Sequence, residues 1–435
     1  MTPAARVAAS IDLLAAIEAA PNRPADAVAN DFFRARRFIG SGDRRAVSDR
    51  VWRVLRAWRR LGWWLARAGC DAAPRLLVGA SLLTEGWHLS GLEQTFSGGR
   101  FAPAPLSATE RRVFAEIEGH TLDHPQMPLP VRLEVPDWIM PRLEARFGDA
   151  LPAEAAAWIA PAPLDLRVNL LKATRGQARE ALAAERIEAV ETPISPWGLR
   201  VAERRAVTTG RAFQSGLVEI QDEGSQIAAF LADARPGMRV GDLCAGAGGK
   251  TLALAMAMAN RGHLLACDIS APRLDAAIRR LRRAGVSNVE RHLLAPGDKL
   301  IKRRAGTFDR VLVDAPCTGT GTWRRNPDAR LRLTEQDLAE LRARQETVLE
   351  TGAKLVRAGG KLIYATCSFL PEENEQPVSA FLDRHPEFTP VPAQRVWTLS
   401  GPAPEQDGFL ALTPARHGTD GFFIAVLERR GEVPA

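Results

Sequence analysis

Residues 240–259 read VGDLCAGAGGKTLALAMAMA: an apolar strand end, a glycine-rich loop and an alanine- and leucine-rich helix. Gly246, Gly248 and Gly249 let the backbone turn tightly and approach a ligand just where the helix N-terminus begins. Downstream, short apolar runs recur at residues 263–268, 289–294, 309–314 and 361–366, with helical stretches at 272–284 and 335–357. Such alternation predicts an α/β fold, a Rossmann-like, doubly wound and mainly parallel sheet, with 422–427 as a late edge strand. Ligands of such sheets bind outside the C-terminal ends of the strands. The residues that follow each run therefore carry the functional reading.

Three ligands compete for the loop Cys244-Ala245-Gly246-Ala247-Gly248-Gly249-Lys250. A nucleoside triphosphate loop needs a glycine where Cys244 stands, and a dinucleotide fingerprint needs one at Thr251. S-adenosylmethionine, an adenosine-plus-amino-acid cofactor, is the third. Asp268, at the end of the next strand, is placed to hold ribose hydroxyls.

Two later strand ends carry thiols. Residues 308–326, FDRVLVDAPCTGTGTWRRN, end their strand in Asp314-Ala315-Pro316-Cys317, and a Thr/Gly-rich loop and Arg324-Arg325 follow. Residues 361–368, KLIYATCS, end theirs in Cys367. One buried cysteine is ordinary packing, since a free thiol behaves as a small hydrophobe. Two strands that each deliver a thiol to one sheet edge are hard to explain that way. Cys70, Cys244 and Cys267 read as packing residues.

The chain has 435 residues, enough for two or three domains. Its five cysteines are an odd number without a CxxC pair. That argues for a reducing, cytoplasmic compartment and against a disulfide framework or a metal site. No apolar run approaches the roughly 18 residues of a membrane span, and no basic segment precedes an apolar block at the N-terminus. A net charge of +7 and a pI near 9.6 point to a polyanion, with nucleic acid the obvious candidate. No membrane or metal partner is expected, and a monomer is the default.

Residues 1–120 read as helical. Within them, 43–67 (DRRAVSDRVWRVLRAWRRLGWWLAR) form one long helix with an apolar stripe of Val47, Val51, Val54, Leu55, Trp58 and Leu61. Arg50, Arg53, Arg56, Arg59, Arg60 and Arg67 cover the rest, as an RNA-backbone surface or as a solvated face. Trp52, Trp58, Trp63 and Trp64 read as core. A proline-rich linker is expected at 121–135, a small α+β unit at 136–230 and the cofactor-binding sheet at 231–435.

Taken in order, residues 242–251 (DLCAGAGGKT), Asp268, Asp314-Ala315-Pro316-Cys317 and Thr366-Cys367-Ser368 resemble the motifs of the RNA (cytosine-5)-methyltransferases. So do Pro371-Glu372-Glu373-Asn374-Glu375 and Asp420-Gly421-Phe422-Phe423. Upstream, Leu166-Arg167-Val168-Asn169 and Gln221-Asp222-Glu223-Gly224-Ser225-Gln226 are similar to the segments that precede the family's cofactor loop. The likeness covers about 135–430. It is strongest to bacterial members that methylate small-subunit ribosomal RNA and carry a helical, NusB-like N-terminal domain.

The resemblance implies a cytosine in RNA as substrate, most plainly 16S rRNA, as free RNA or an early ribosomal particle. It implies Cys367 as the nucleophile on carbon 6, Cys317 as the thiol that assists release, and Asp314 as the partner of the protonated ring nitrogen. It also puts Asp314 and Asp298 beside the cofactor, the latter as the acidic residue after the third strand. Gly246-Ala247 departs from the family's usual Ala-Pro. A tRNA substrate, an RNA-binding assembly factor with little catalysis and a small-molecule methyltransferase are the competing readings. DNA cytosine-5 methyltransferases use a cysteine in the Pro316-Cys317 position; the second cysteine, Cys367, favours the RNA type.

Overall fold

A computed structural model describes residues 1–202, 206–295 and 297–431. The chain forms two compact units, one of Met1–Ala160 with Trp323–Leu333, the other of Pro161–Thr322 with Thr334–Ala435.

The second unit holds both sheets. β1 (Leu164–Val168), β2 (Ala189–Glu191), β3 (Gly198–Val201) and β4 (Val218–Ile220) make a small antiparallel sheet in the order β2-β3-β1-β4. It closes over Leu166, Val168, Leu182 and Leu199. β5 (Arg239–Leu243), β6 (His263–Asp268), β7 (Val289–Leu293), β8 (Phe308–Asp314) and β9 (Val356–Thr366) follow, all parallel, in the order β9-β8-β5-β6-β7. Their apolar runs are continuous rather than alternating because the central strands are buried on both faces. Val311 and Val313 face a core with Leu349, Leu362 and Phe381, whereas Leu312 faces one with Ile227, Leu254 and Ile363. The order reverses at β5, between β6 and β8, which makes the C-terminal ends of β5 and β8 the expected crevice.

β10 (Phe388–Pro390), β11 (Glu405–Gln406), β12 (Phe409–Leu412) and β13 (Phe422–Arg429) complete the sheet as an antiparallel wing. The expectation of an edge strand at 422–427 is thereby corrected. β13 lies between β9 and β12, in register with β9 from Phe423↔Thr366 to Glu428↔Lys361. Its second partner is only four residues long, too short to show periodicity. The helix Glu335–Leu355 also runs straight into β9, so Gly359 and Gly360 lie in a strand rather than stopping a helix.

The first unit is all-helical. The single helix expected over 43–67 is two, Ser41–Arg56 and Trp58–Arg67, broken at Ala57. No proline or glycine marks the break. Its cause lies elsewhere in the unit. The fully buried Glu134 carboxylate accepts from the amides of Arg59 and Arg60 at 3.0 and 3.1 Å, as an N-cap does. The fully buried Arg330 donates to the carbonyls of Leu55 and Arg56, at 3.3 and 2.7 Å, and so satisfies the end of the first helix.

The arginines of this helix pair are engaged by the unit's own groups: Arg50 and Arg53 by Glu85, Arg59 by Asp137, Arg60 by Asp123 and Glu134, and Arg67 by Gln126. Trp64 is core, with Trp52, Trp58 and Trp63 packed against it half-buried.

The segment Trp323–Leu333 belongs to this unit as fully as the helices do. Trp323 is completely buried, edge-on to Trp158 with ring centroids 5.8 Å apart. Asp328 caps the helix Ala25–Ala35 through the Ala25 amide at 3.0 Å, and the Leu333 carbonyl accepts from Trp138 Nε1 at 3.1 Å.

Candidate active site

The cofactor loop leaves β5 through backbone that few side chains adopt. Cys244, Gly246 and Gly248 have φ of +62°, +55° and +81°, and the helix Gly249–Ala257 starts directly after them. The turn is fixed from outside. Asp268 at the end of β6 accepts from the Gly246 amide at 2.8 Å and, through its other oxygen, from Ser270 N at 2.8 Å. The buried Arg167 of β1 donates to Gly249 O at 2.8 Å and to Gln221, and Arg280 donates to Ala247 O at 2.7 Å. Burial pulls the Arg167 guanidinium down to about 10, still far enough above neutral pH for it to stay charged.

Four carboxylates line this crevice or lie beneath it. Asp242, in β5, is completely buried and accepts from Thr251 Oγ1 at 2.6 Å, while its Oδ1 has no hydrogen-bond partner. Burial first, and then Asp314 and Asp268, push its carboxyl up to about 7. Asp298 accepts from His292 Nε2 at 2.7 Å and caps the short helix after it through Leu300 N at 2.8 Å. Ile269, which follows Asp268, and Leu293, in register with Asp268, are 79% and 48% exposed. Acid groups, a tight glycine-rich loop and an apolar platform at one strand edge fit a cationic, purine-bearing ligand such as S-adenosylmethionine. Cys244 and Cys267 are packing thiols: burial drives Cys244 far up and Cys267 to about 12.

At the adjacent strand ends, β8 delivers Asp314 and Cys317 and β9 delivers Cys367. The two sulfurs are 3.4 Å apart. Lys250 Nζ, at the start of the loop helix, is 2.7 Å from Asp314 Oδ1 and 5.2 Å from the centre of the Phe422 ring. Burial pulls its ammonium down, but Asp314, Cys367 and Asp242 more than offset this, so its pKa stands above the ordinary lysine value. The Cys317 thiol is pushed well above its usual range, first by its hydrogen bond to Cys367, then by burial and the charges of Cys367 and Glu373.

The cysteine loops are stitched together. Ala315 N donates to Ala365 O and Gly321 N to Cys367 O, both at 2.9 Å, and Phe369 N donates to Thr320 Oγ1 at 2.8 Å. Gly421 N donates to Gly321 O at 2.8 Å, and the two glycines are so close that a Cβ on either would overlap the other's backbone or the Phe369 ring. Asn374 accepts from Thr366 Oγ1 and donates to Ser368 O at 2.9 Å.

Cys317, Cys367, Asp314 and Lys250 thus share one cluster, and 244–249 and Asp268 lie at the neighbouring strand ends. Asp298 is engaged with His292 instead of standing open. Arg167, Arg280, Gln345 and Glu373 were not singled out in the sequence as site residues. For Arg167 and Glu373 a signal was present, since both lie in motifs carried by the resemblance. Among the described residues no cluster of three His, Cys, Asp or Glu could hold a metal ion, and no helix is long and apolar enough to cross a membrane.

A family model described as 16S rRNA methyltransferase RsmB/F matches residues 229–428, and the ferredoxin-like domain of RsmF/B-like methyltransferases matches 135–208. A probable ribosomal RNA small subunit methyltransferase B of Synechocystis is 33% identical over 321 residues, 72% of this chain and 71% of its own length. Its counterpart in Bacillus subtilis is 32% identical over 327 residues, 71% and 70% of the two chains. The crystal structure of PH0851 superposes with a TM-score of 0.81 at 26% identity, covering 99% of each chain.

Proposed function

The chain belongs to the RsmB/F family of 16S rRNA methyltransferases, which are S-adenosylmethionine-dependent RNA cytosine-5 methyltransferases, and on that premise we propose that Cys367 bonds covalently to a cytosine of 16S rRNA while Cys317 serves its release. One observation carries the reading: two thiols 3.4 Å apart at neighbouring strand ends, beside a buried Lys250–Asp314 pair. Binding alone needs neither thiol.

Carbon 5 of cytosine is a poor nucleophile, so its methylation needs a temporary bond at carbon 6. The Lys250 ammonium and Cys367 are close enough to interact electrostatically. As the sulfur–carbon 6 bond forms, the electron pair of the 5,6 double bond moves to carbon 5. Asp314, one oxygen held by Lys250, presents its carboxylate to the protonated ring nitrogen and stabilises the charge that shifts there. S-adenosylmethionine, when bound by the 244–249 loop, Asp268 and the platform of Ile269 and Leu293, supplies the electrophilic methyl group. Loss of the carbon 5 proton then restores the double bond, and the sulfur–carbon pair returns to Cys367. Cys317, still protonated and in contact with that sulfur, is placed to receive the charge it regains. The target base must be unpaired or flipped out to reach these groups.

The test is adduct trapping. Cys317→Ala should accumulate a protein–RNA species that survives denaturing electrophoresis, and Cys367→Ala should form none and be inactive. Full activity in Cys367→Ala would sink the covalent reading. Bisulfite sequencing of total RNA with and without the protein identifies the substrate, and a mark lost from tRNA alone would overturn the ribosomal assignment.

A further inference from the structure

Glu373 lies under both cysteine loops and is completely buried. It accepts from Thr318, the residue after Cys317, through the backbone amide at 2.8 Å and through the hydroxyl. The Thr318 hydroxyl is in turn 3.4 Å from the hydroxyl of Ser368, the residue after Cys367. Gln345, in the helix Glu335–Leu355, donates from one Nε2 to Glu373 at 2.9 Å and to Pro316 O, just before Cys317, at 2.9 Å. Below, Tyr364 donates to the Glu373 carbonyl at 2.7 Å. All these donors are neutral.

We propose that Glu373 is the positioning residue of the thiol pair: one buried carboxylate holds Thr318, whose hydroxyl meets that of Ser368, and by linking the residues that follow the two cysteines it sets the sulfur separation and keeps Cys317 in its protonated form. This rests on the covalent reading and deepens it, because it explains how two adjacent cysteines are kept from exchanging roles. The titratable groups that act on Cys317 are Cys367, Glu373 and Tyr364, and of these only Glu373 is an acid at neutral pH in its ordinary state. Lys250 acts on Cys367. A cation therefore stands by one sulfur and an anion by the other. The anion favours the protonated thiol at Cys317.

Burial raises the Glu373 carboxyl above its ordinary range, and the Ser368, Thr318 and Gln345 contacts offset this only in part. A carboxylate that accepts several hydrogen bonds retains its charge best where those donors are held rigidly, as the Thr318 amide and the Gln345 amide are here.

The test uses the full-length protein with Glu373→Gln, which keeps the shape and removes the charge, and Glu373→Ala, which removes both. Iodoacetamide alkylation of Cys317 across pH, read by mass spectrometry, needs no RNA. In Glu373→Gln its midpoint should fall, and the pH profile of adduct decay in single turnover should shift the same way. In Glu373→Ala decay should also slow at least tenfold, with S-adenosylhomocysteine affinity unchanged within twofold in both variants. An unmoved alkylation midpoint in Glu373→Gln overturns the inference, whether or not Glu373→Ala folds. Slower decay with an unmoved midpoint marks a merely structural carboxylate and overturns it too. If the covalent reading itself fails, Cys367→Ala stays active, and the alkylation midpoint still reports on Glu373.

Discussion

Lys250 Nζ is 2.7 Å from Asp314 Oδ1, which joins the cofactor-loop helix to the end of the strand that carries Cys317. Removing the cation leaves Asp314 unpaired and the neighbouring sulfur without its positive charge. Lys250→Met should slow adduct formation on the order of 100-fold, measured under single-turnover conditions. The raised lysine pKa also sets a sign. The pair is fully present below the ordinary lysine range and is lost only as pH climbs through the higher folded value. No alkaline loss of activity below that range should trace to Lys250, and a rate profile in wild type and Lys250→Arg checks this.

Asp242 should make stability fall as pH rises. Burial pushes its carboxyl up to about 7 when folded, against 3.8 for a free aspartate, so between those values the folded chain holds a proton that the unfolded chain has lost. Stability therefore declines through the window and levels off above 7, by up to about 4 kcal/mol. Asp242→Asn removes the titration. Melting temperatures of the cofactor-free protein from pH 4 to 8 should shift progressively in the variant's favour.

Arg167 acts on the cofactor loop through the Gly249 carbonyl, with the Gln221 side chain as its second acceptor. Arg167→Leu frees Gly249 O and Gln221, and should weaken S-adenosylhomocysteine binding by roughly tenfold, the worth of one charge-assisted hydrogen bond. Calorimetry measures that, and RNA affinity measured alongside should stay constant.

Arg330 is the most deeply placed cation of the helical unit. Arg330→Ala strands the carbonyls of Leu55 and Arg56 and leaves Glu134, 4.0 Å away, less well compensated. A cost of roughly 3 to 5 kcal/mol is expected for breaking such a buried arrangement. Hydrogen exchange should quicken first in Ser41–Arg56 and Trp58–Arg67.

The central parallel strands were legible because they carry short buried apolar runs, such as Leu264–Cys267 in β6 and Val311–Val313 in β8, and both cysteines announced themselves at strand ends. What stayed hidden depends on partners far along the chain. The break at Ala57 is made by Glu134 and Arg330, 77 and 273 positions away, so no local pattern could reveal it. β13 read as an edge because β12 is four residues long. Glu373 lay inside a motif carried by resemblance, but its link to Thr318 and Gln345 exists only once β8, β9 and a helix are side by side.

The placement of Trp323–Leu333 in the helical unit bears on the order of events at the ribosome. Residues 1–160 are synthesised first, yet the partners of Leu55, Arg56 and Ala25 at the helix ends are Arg330 and Asp328. At roughly 5–20 residues per second, the 173 residues between 160 and 333 take on the order of ten to thirty seconds to appear. Through that interval the nascent helices carry an unfilled slot for Trp323 and open helix ends. The N-terminal unit of this enzyme therefore starts first and finishes late, and a holding chaperone that tolerates half-closed helices suits its biogenesis better than domain-by-domain release.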